Sequence, residues 1–307
     1  MKKQLLFGGG NVYKANLHCH TTVSDGRCTP EEIKDMYTAK GYSIVAFTDH
    51  NIMQNHQNLN DENFLVLNSC EVNINQTRQQ GISTYHFNLY ATRPDMHETP
   101  PLPEMDYHDT DAINQYIADR VKEGFLVCYN HPYWSLQTYE EYSKLKGCFA
   151  MEIYNHNCEV DDGCRGHHGQ VYDDMLRLGN KIFCVSTDDN HNAGPEYLPD
   201  RDSFGGYTYV SSKGLNYEDV VAALANGNFY ASQGPEIYEI SLEGDILTVK
   251  CSAVQAIRAY TKGRRCYELN GDGLTEASFK LDGNEGYIRV TCIDKDKKDA
   301  NSNAFWL

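Results

Sequence analysis

The chain has 307 residues, 40% of them hydrophobic, which is enough for one large α/β unit and a small addition. Its formal net charge of −16 argues against an extended nucleic-acid track, which Lys and Arg would have to lead. A small anionic substrate is still compatible, because bound metals can reverse the local sign. The eleven cysteines are scattered, with no CxxC pair, and Cys128, Cys184 and Cys292 sit inside apolar runs. Buried reduced thiols and a cytoplasmic location are the expectation.

At the start, "LLF" in "MKKQLLFGGG" is too short for a signal peptide, and no run approaches membrane-spanning length. "LLFGGGN" lacks the context of a phosphate loop and reads as a flexible lead-in. The run "NLHCH" (16–20) follows, with strand alternation turning His18 and His20 one way and Cys19 the other. Thr29 as N-cap, Pro30 at the first position and Glu32 three residues on predict a helix that ends at Gly41. "SIVAFTDH" then ends in Asp49-His50, and "FLVLNSCEVN" ends its apolar stretch at Glu71. Residues 76–83 and the Pro-rich 94–103 read as loops on either side of "STYHFNLYA", which carries His86.

Ile113, Tyr116, Ile117 and Val121 form a helical stripe within 111–123, closed by Gly124. "GFLVCYNHP" ends in His131, "FAMEIYNHN" carries Glu152 and His156, and "KIFCVSTDDNH" ends in Asp189-Asn190-His191. Helices are expected at 168–178 and 217–226, and "YTYVSS" (207–212) is a further candidate strand. Alternating strands and helices imply a parallel sheet, and about seven strands suggest a closed or nearly closed barrel. After "GNFYASQGP" the texture changes: "ILTVKCS" and "YIRVTCI" alternate with period two between turn signals. Residues 233–307 are expected to form a small antiparallel β appendage without recognisable chemistry.

Strand C-termini of an α/β barrel converge on one face, where active sites are built. Six of the twelve histidines (His18, His20, His50, His86, His131 and His191) fall at or near strand ends, with Asp25, Glu71 and Asp189 among them. Imidazoles and carboxylates gathered in this way suit Zn²⁺, Mn²⁺ or Fe²⁺ and point to a polynuclear metal centre. Alternation turns Cys19 and Cys70 away, towards buried packing. Asp49 is expected to make hydrogen bonds rather than ligate. Asp188 beside Asp189 is ambiguous, and Glu152 and His156 are open between supporting and ligating roles. The loop "DDGCRGHHG" (161–169) contains Arg165, His167 and His168, which could grip a second phosphate or a carboxylate, or simply be solvated. His56, His97 and His108 lie in polar sequence and read as surface residues.

In order, "HCHTTVSDG", "FTDHN", "CEVN", "NHP" and "DDNH" resemble the motifs of the PHP (polymerase and histidinol phosphatase) superfamily over about residues 14 to 230. "MEIYN" and the β-rich tail look most like free-standing bacterial members of the CehA/McbA group. The resemblance implies a distorted (β/α)7 barrel over residues 1–232, with 233–307 as a small β-rich domain. It implies two or three divalent transition metals (Zn, Mn or Fe): His18, His20, Glu71 and Asp189 around one, Asp25, His50 and His191 around a second, and His86 and His131 with a bridging Glu71 around a third. Some members carry His where this chain has Asp25, and the harder ligand keeps Mn²⁺ and Fe²⁺ beside Zn²⁺.

Glu71, Asp189 and His191 are then the expected catalytic residues, with Arg165 and His168 the candidates for substrate binding. The implied activity is hydrolysis of a small phosphorylated compound by metal-activated water. No extended nucleic acid or membrane is an expected partner, and the oligomeric state is open. A hydrolase of a non-phosphate ester, carbamate or amide with the same metals is an alternative, as is a metal-containing binding module without turnover. Amidohydrolase barrels also begin with HxH but often use a carboxylated Lys on a middle strand, and "YHFNLY" and "FLVCYN" contain no Lys.

Overall fold

The computed structural model describes residues 2–7, 10–76, 83–196 and 198–307. Most of the expected 76–83 loop, and Gly8 and Gly9 of the lead-in, therefore lie outside the described residues. The elements run β1 (Lys2–Leu6), β2 (Asn11–Asn16), α1 (Pro30–Ala39), β3 (Ile44–Phe47), β4 (Leu65–Asn75) and β5 (Thr84–Ala91). They continue with α2 (Thr110–Glu123), β6 (Phe125–Tyr129), α3 (Tyr139–Tyr142), β7 (Ala150–Asn155), α4 (His156–Val160), α5 (Gly169–Arg177) and β8 (Phe183–Thr187). The chain ends with β9 (Tyr207–Ser212), α6 (Tyr217–Ala225), β10 (Phe229–Ser232), β11 (Ile237–Glu243), β12 (Ile246–Thr261), β13 (Cys266–Lys280), β14 (Tyr287–Ile293), β15 (Asp299–Ser302) and β16 (Phe305–Trp306).

Helix boundaries follow local chemistry. The Thr29 hydroxyl accepts from the Glu32 amide while the Glu32 carboxylate accepts from the Thr29 amide, completing a capping box. Asp109 and Asn216 cap α2 and α6 in the same sense, and α2 stops at Gly124 with φ +103°, a conformation that glycine adopts without penalty.

The result is a mixed α/β fold with one large sheet and few helices, rather than a regular strand–helix repeat. Strands β2, β3 and β4 are parallel, as are β6, β7 and β8, but β5 lies antiparallel to both of its neighbours. A parallel bridge between Cys19 and Asn190 joins the extension of β2 to the residues after β8, with His20 N–H donating to the Asn190 carbonyl at 3.0 Å.

Strand alternation partitions the interior. Ile44 and Ala46 of β3 and Leu65 and Leu67 of β4 join Ala15, Tyr90, Cys128, Ala150 and Val185 in a cluster that takes a residue from each of β2 to β8, against which α6 packs. Val45, Phe47 and Val66 face the other way, onto Ile33 and Tyr37 of α1. Both faces of these strands are covered, which is why "IVAF" and "FLVL" are continuous apolar runs.

The N-terminal stretch departs from expectation. It is no loose lead-in: β1 pairs antiparallel with β11 and buries Leu6 among the C-terminal strands. Those strands continue the same large sheet. β15 pairs with β10 on one side and β14 on the other, and the Asn303 side chain caps the Cys184 amide of β8. "YIRVTCI" is buried on both faces, and Arg289 forms a bidentate pair with Asp173 of α5 at 2.6 and 2.9 Å. No helix among the described residues is long and apolar enough to cross a membrane.

Candidate metal centre

Nine side chains from separate segments converge where the extension of β2 meets the end of β8. Glu71 is at the middle. Its Oε1 lies 2.9 Å from His86 Nδ1, 3.3 Å from His131 Nε2 and 3.4 Å from His18 Nε2, and its Oε2 lies 2.9 Å from His50 Nδ1 and 3.6 Å from His20 Nε2. Asp189 Oδ1 is 3.0 Å from both His18 Nε2 and His20 Nε2. Asp25 approaches His20, His50 and His191 at 3.5 to 3.7 Å.

These residues form four overlapping groups with metal-ligand spacing: His20–Asp25–His50–His191, His18–His131–Asp189, His18–His20–Glu71 and Glu71–His86–His131. The sets overlap those implied by the motifs but differ from them: His20 also belongs with Asp25, His50 and His191, and His131 also joins His18 and Asp189.

The segments reach this point by different routes. β2 ends at Asn16, and the Cys19–Asn190 bridge keeps the chain extended so that His18 and His20 turn inward while Cys19 packs against α1. Glu71 does not end its strand, because β4 continues to Asn75. His86 comes from the start of β5, not its end. β5 runs back alongside β4, with Asn73 opposite His86, so its first residues meet the same face as the C-termini of its neighbours. His131 and Asp189 have φ of +24° and +54°, strained for L-residues, which is common where side chains are aimed by their surroundings.

Supporting contacts fix the ligands. The Asp49 carboxylate accepts from the Thr21 and Ser24 amides and hydroxyls at 2.7 to 3.2 Å and so ties down the loop that carries Asp25. Asp188 accepts from Tyr37 and from the amides of Phe204, Gly205 and Gly206, so it faces away from the centre. Asn130 donates to Glu71 Oε1 at 2.8 Å, and Asn155 donates to Asp189 Oδ2 at 3.0 Å. Sequence reasoning passed over Asn130, although it directly precedes His131 in "NHP". Asp202, which accepts from the His191 and Asn192 amides, had no signal in its polar loop.

The donor set fits divalent metals. His20 Nδ1 is buried with no hydrogen-bond partner among the described residues, as an atom awaiting a cation would be. Burial would raise the Glu71 carboxyl, but the imidazoles of His86, His18 and His50 outweigh it and hold it well below the usual carboxylate range. Burial and the neighbouring His191 push His20 down to about 4, keeping it in the neutral form that a metal requires.

A cavity of about 470 Å³ opens over the group, lined by every candidate ligand except the deeper His18 and His20. Trp134 and the carboxylates Asp161, Asp162 and Asp202 complete much of its wall, and no Lys or Arg among the described residues lines it. The structure does not bring Arg165 or His168 to this cavity. Arg165 lies beyond its lining, and His168 is buried at the start of α5. His156 is also outside the ligand groups; its Nδ1 is 2.8 Å from the Tyr154 hydroxyl. His56 is not a free surface residue, since its ring packs edge-on against Phe47.

The model of the PHP domain family matches residues 16–183, more than half of the chain. The chain belongs to the PHP domain family. The match runs from the extension of β2 to the first residue of β8, so it includes seven of the nine converging side chains of this PHP protein and stops short of Asp189 and His191.

Three solved structures are similar. A two-domain protein from Bacteroides vulgatus, named for a PHP-like metal-dependent phosphoesterase, is 17% identical over 99% of this chain and 97% of its own, with a TM-score of 0.52. A protein from Bifidobacterium adolescentis, named for metal-dependent phosphoesterase activity, is 14% identical over 59% of this chain and 89% of its own, with a TM-score of 0.40. An amidohydrolase from Chromobacterium violaceum with bound sulfate and no metal is 15% identical over 58% and 87%, with a TM-score of 0.37. Of the three, the first is alike over nearly the whole of both chains, and at that identity the likeness concerns the fold. No curated protein matches the chain.

Proposed function

We propose that this PHP protein is a metal-dependent phosphoesterase acting on a small phosphorylated compound. In this reading β2 to β8 form a distorted seven-strand barrel of the PHP type, with residues 233–307 as a supporting β-rich domain. The observation that carries it is the convergence of six imidazoles and two further carboxylates around Glu71, beneath one cavity of small-molecule size.

His18, His20, Asp25, His50, Glu71, His86, His131, Asp189 and His191 would hold two or three Zn²⁺, Mn²⁺ or Fe²⁺ ions. Metals in such a setting supply Lewis-acid activation of water and charge neutralisation at a phosphoryl group. The chain's own part is to fix these ligands, with Glu71 and Asp189 ionised and His20 neutral; His18, His50 and His131, held up against burial by the carboxylates beside them, would release protons to bound metal. Glu71 faces two metal groups with its two oxygens, and we assign Glu71, Asp189 and His191 to positions nearest the reacting atoms. With no lysine or arginine among the described lining residues, the substrate's negative charge would be met by metal alone. The same feature favours a second reading, hydrolysis of an uncharged ester, carbamate or amide.

Elemental analysis and a substrate panel test this together. Protein reconstituted with Mn²⁺, Zn²⁺ or Fe²⁺ is expected to carry two or three metals and to hydrolyse phosphomonoesters or phosphodiesters. Glu71→Gln is expected to lose metal from two groups and several orders of magnitude of turnover, Asp25→Asn metal from one. Less than one metal per chain after reconstitution would end the metal-centre reading. Turnover confined to carboxylic esters or amides would select the second.

A further inference from the structure

Glu152 stands directly beneath the ligand group, in β7, with no accessible surface. It belongs to none of the four metal groups, and its oxygens are already engaged. Oε1 accepts from the Thr187 hydroxyl at 2.6 Å and lies 2.7 Å from His18 Nδ1. Oε2 accepts from the His131 backbone amide and from the Asn155 side chain, both at 2.9 Å. One carboxylate thus ties together the segments after β2 and β6 and the ends of β7 and β8.

Two of those donors bear on ligands. A carboxylate beside His18 Nδ1 keeps a proton on that nitrogen, so that Nε2, the atom facing Asp189 and Glu71, is the one left to bind a metal. The His131 amide is held at a residue whose φ of +24° a free chain would leave. We propose that Glu152 is a positioning residue that sets the tautomer of His18 and the backbone of His131. The inner metal groups built on those two histidines depend on it, and the Asp25–His50–His191 side does not. This rests on the metal-centre reading above.

Glu152→Gln tests it in the full-length protein, with folding checked by circular dichroism. Gln keeps the size, but its amide nitrogen cannot accept from the His131 N–H or Asn155 if turned one way. Turned the other, it donates to His18 Nδ1 and moves the proton to Nε2. Titration with Mn²⁺ or Zn²⁺ against a chelator is expected to show inner-site affinity reduced about 10- to 100-fold, with the outer site retained. A folded variant that fills like wild type would overturn the proposal, and so would one that loses every metal equally.

If wild-type protein takes up no metal, the metal-centre reading itself fails, a result distinct from equal filling of both proteins. Should the variant not fold, long-range ¹H–¹⁵N correlation spectra of Zn²⁺-loaded wild type decide instead. His18 protonated on Nδ1 is expected, and protonation on Nε2 would overturn the proposal.

Discussion

His168 is 1% exposed at the start of α5, and neither ring nitrogen has a hydrogen-bond partner among the described residues. Burial pushes it down to about 3, with nearby His131 and His167 acting in the same direction. The unfolded chain takes up this proton as pH falls through about 6.5, whereas the folded chain resists it until about 3. Stability from this group is therefore lost on acidification, by about 2 kcal/mol at pH 5. Urea midpoints measured from pH 7 to pH 5 should fall less steeply in His168→Leu than in wild type; equal slopes would show that the imidazole is not buried neutral. In the sequence this residue read as a candidate for substrate binding, because a Gly-flanked "RGHHG" looks like an exposed loop. Only the packing of α5 shows that one of its two histidines turns inward.

The loop between β2 and α1 depends on a residue from another strand. Four donors from Thr21 and Ser24 meet the Asp49 carboxylate, and an amide in its place has one acceptor oxygen and two N–H groups that would face donors. Asp49→Asn is expected to loosen the loop that carries Asp25 and to weaken the Asp25–His50–His191 metal group about tenfold or more, leaving the inner groups alone. Chelator competition measures this, and a folded variant with unchanged outer-site affinity would show that the loop holds itself. The supporting role of Asp49 was legible from alternation next to His50. The route taken by β5 was not. Parallel and antiparallel strands share the same apolar spacing, so nothing local in "STYHFNLYA" tells that His86 enters from the strand's beginning.

Across the whole molecule, the C-terminal strands and the PHP region are joined by a charge pair that is almost closed to water. Arg289 is 5% exposed, is held by Asp173 of α5, Thr291 and Asn301, and lies over the Tyr260 ring at 4.2 Å. Arg289→Ala would leave Asp173 without its partner, at a cost of about 3 kcal/mol, the lower end for a broken buried pair because Asp173 retains some exposure. Denaturant unfolding of Arg289→Ala and of the double variant with Asp173→Ala checks this. The single variant should be the less stable, and equal stability would mean that Asp173 without its partner costs nothing.

The helix cap at Thr29, the close of α2 at Gly124, the inward pairing of His18 and His20, and the run of motifs that carries the family resemblance could all be read from the chain alone. Each depends on neighbours within a few residues, where hydrogen-bond geometry and side-chain periodicity are encoded directly. The pairing of β1 with β11, the reversed entry of His86, the seating of β15 against β10 and the four donors on Glu152 were decided by tertiary structure. Nearly all of these join residues tens to hundreds of positions apart, and strand direction, edge pairing and buried-polar satisfaction are settled only when the whole sheet is assembled.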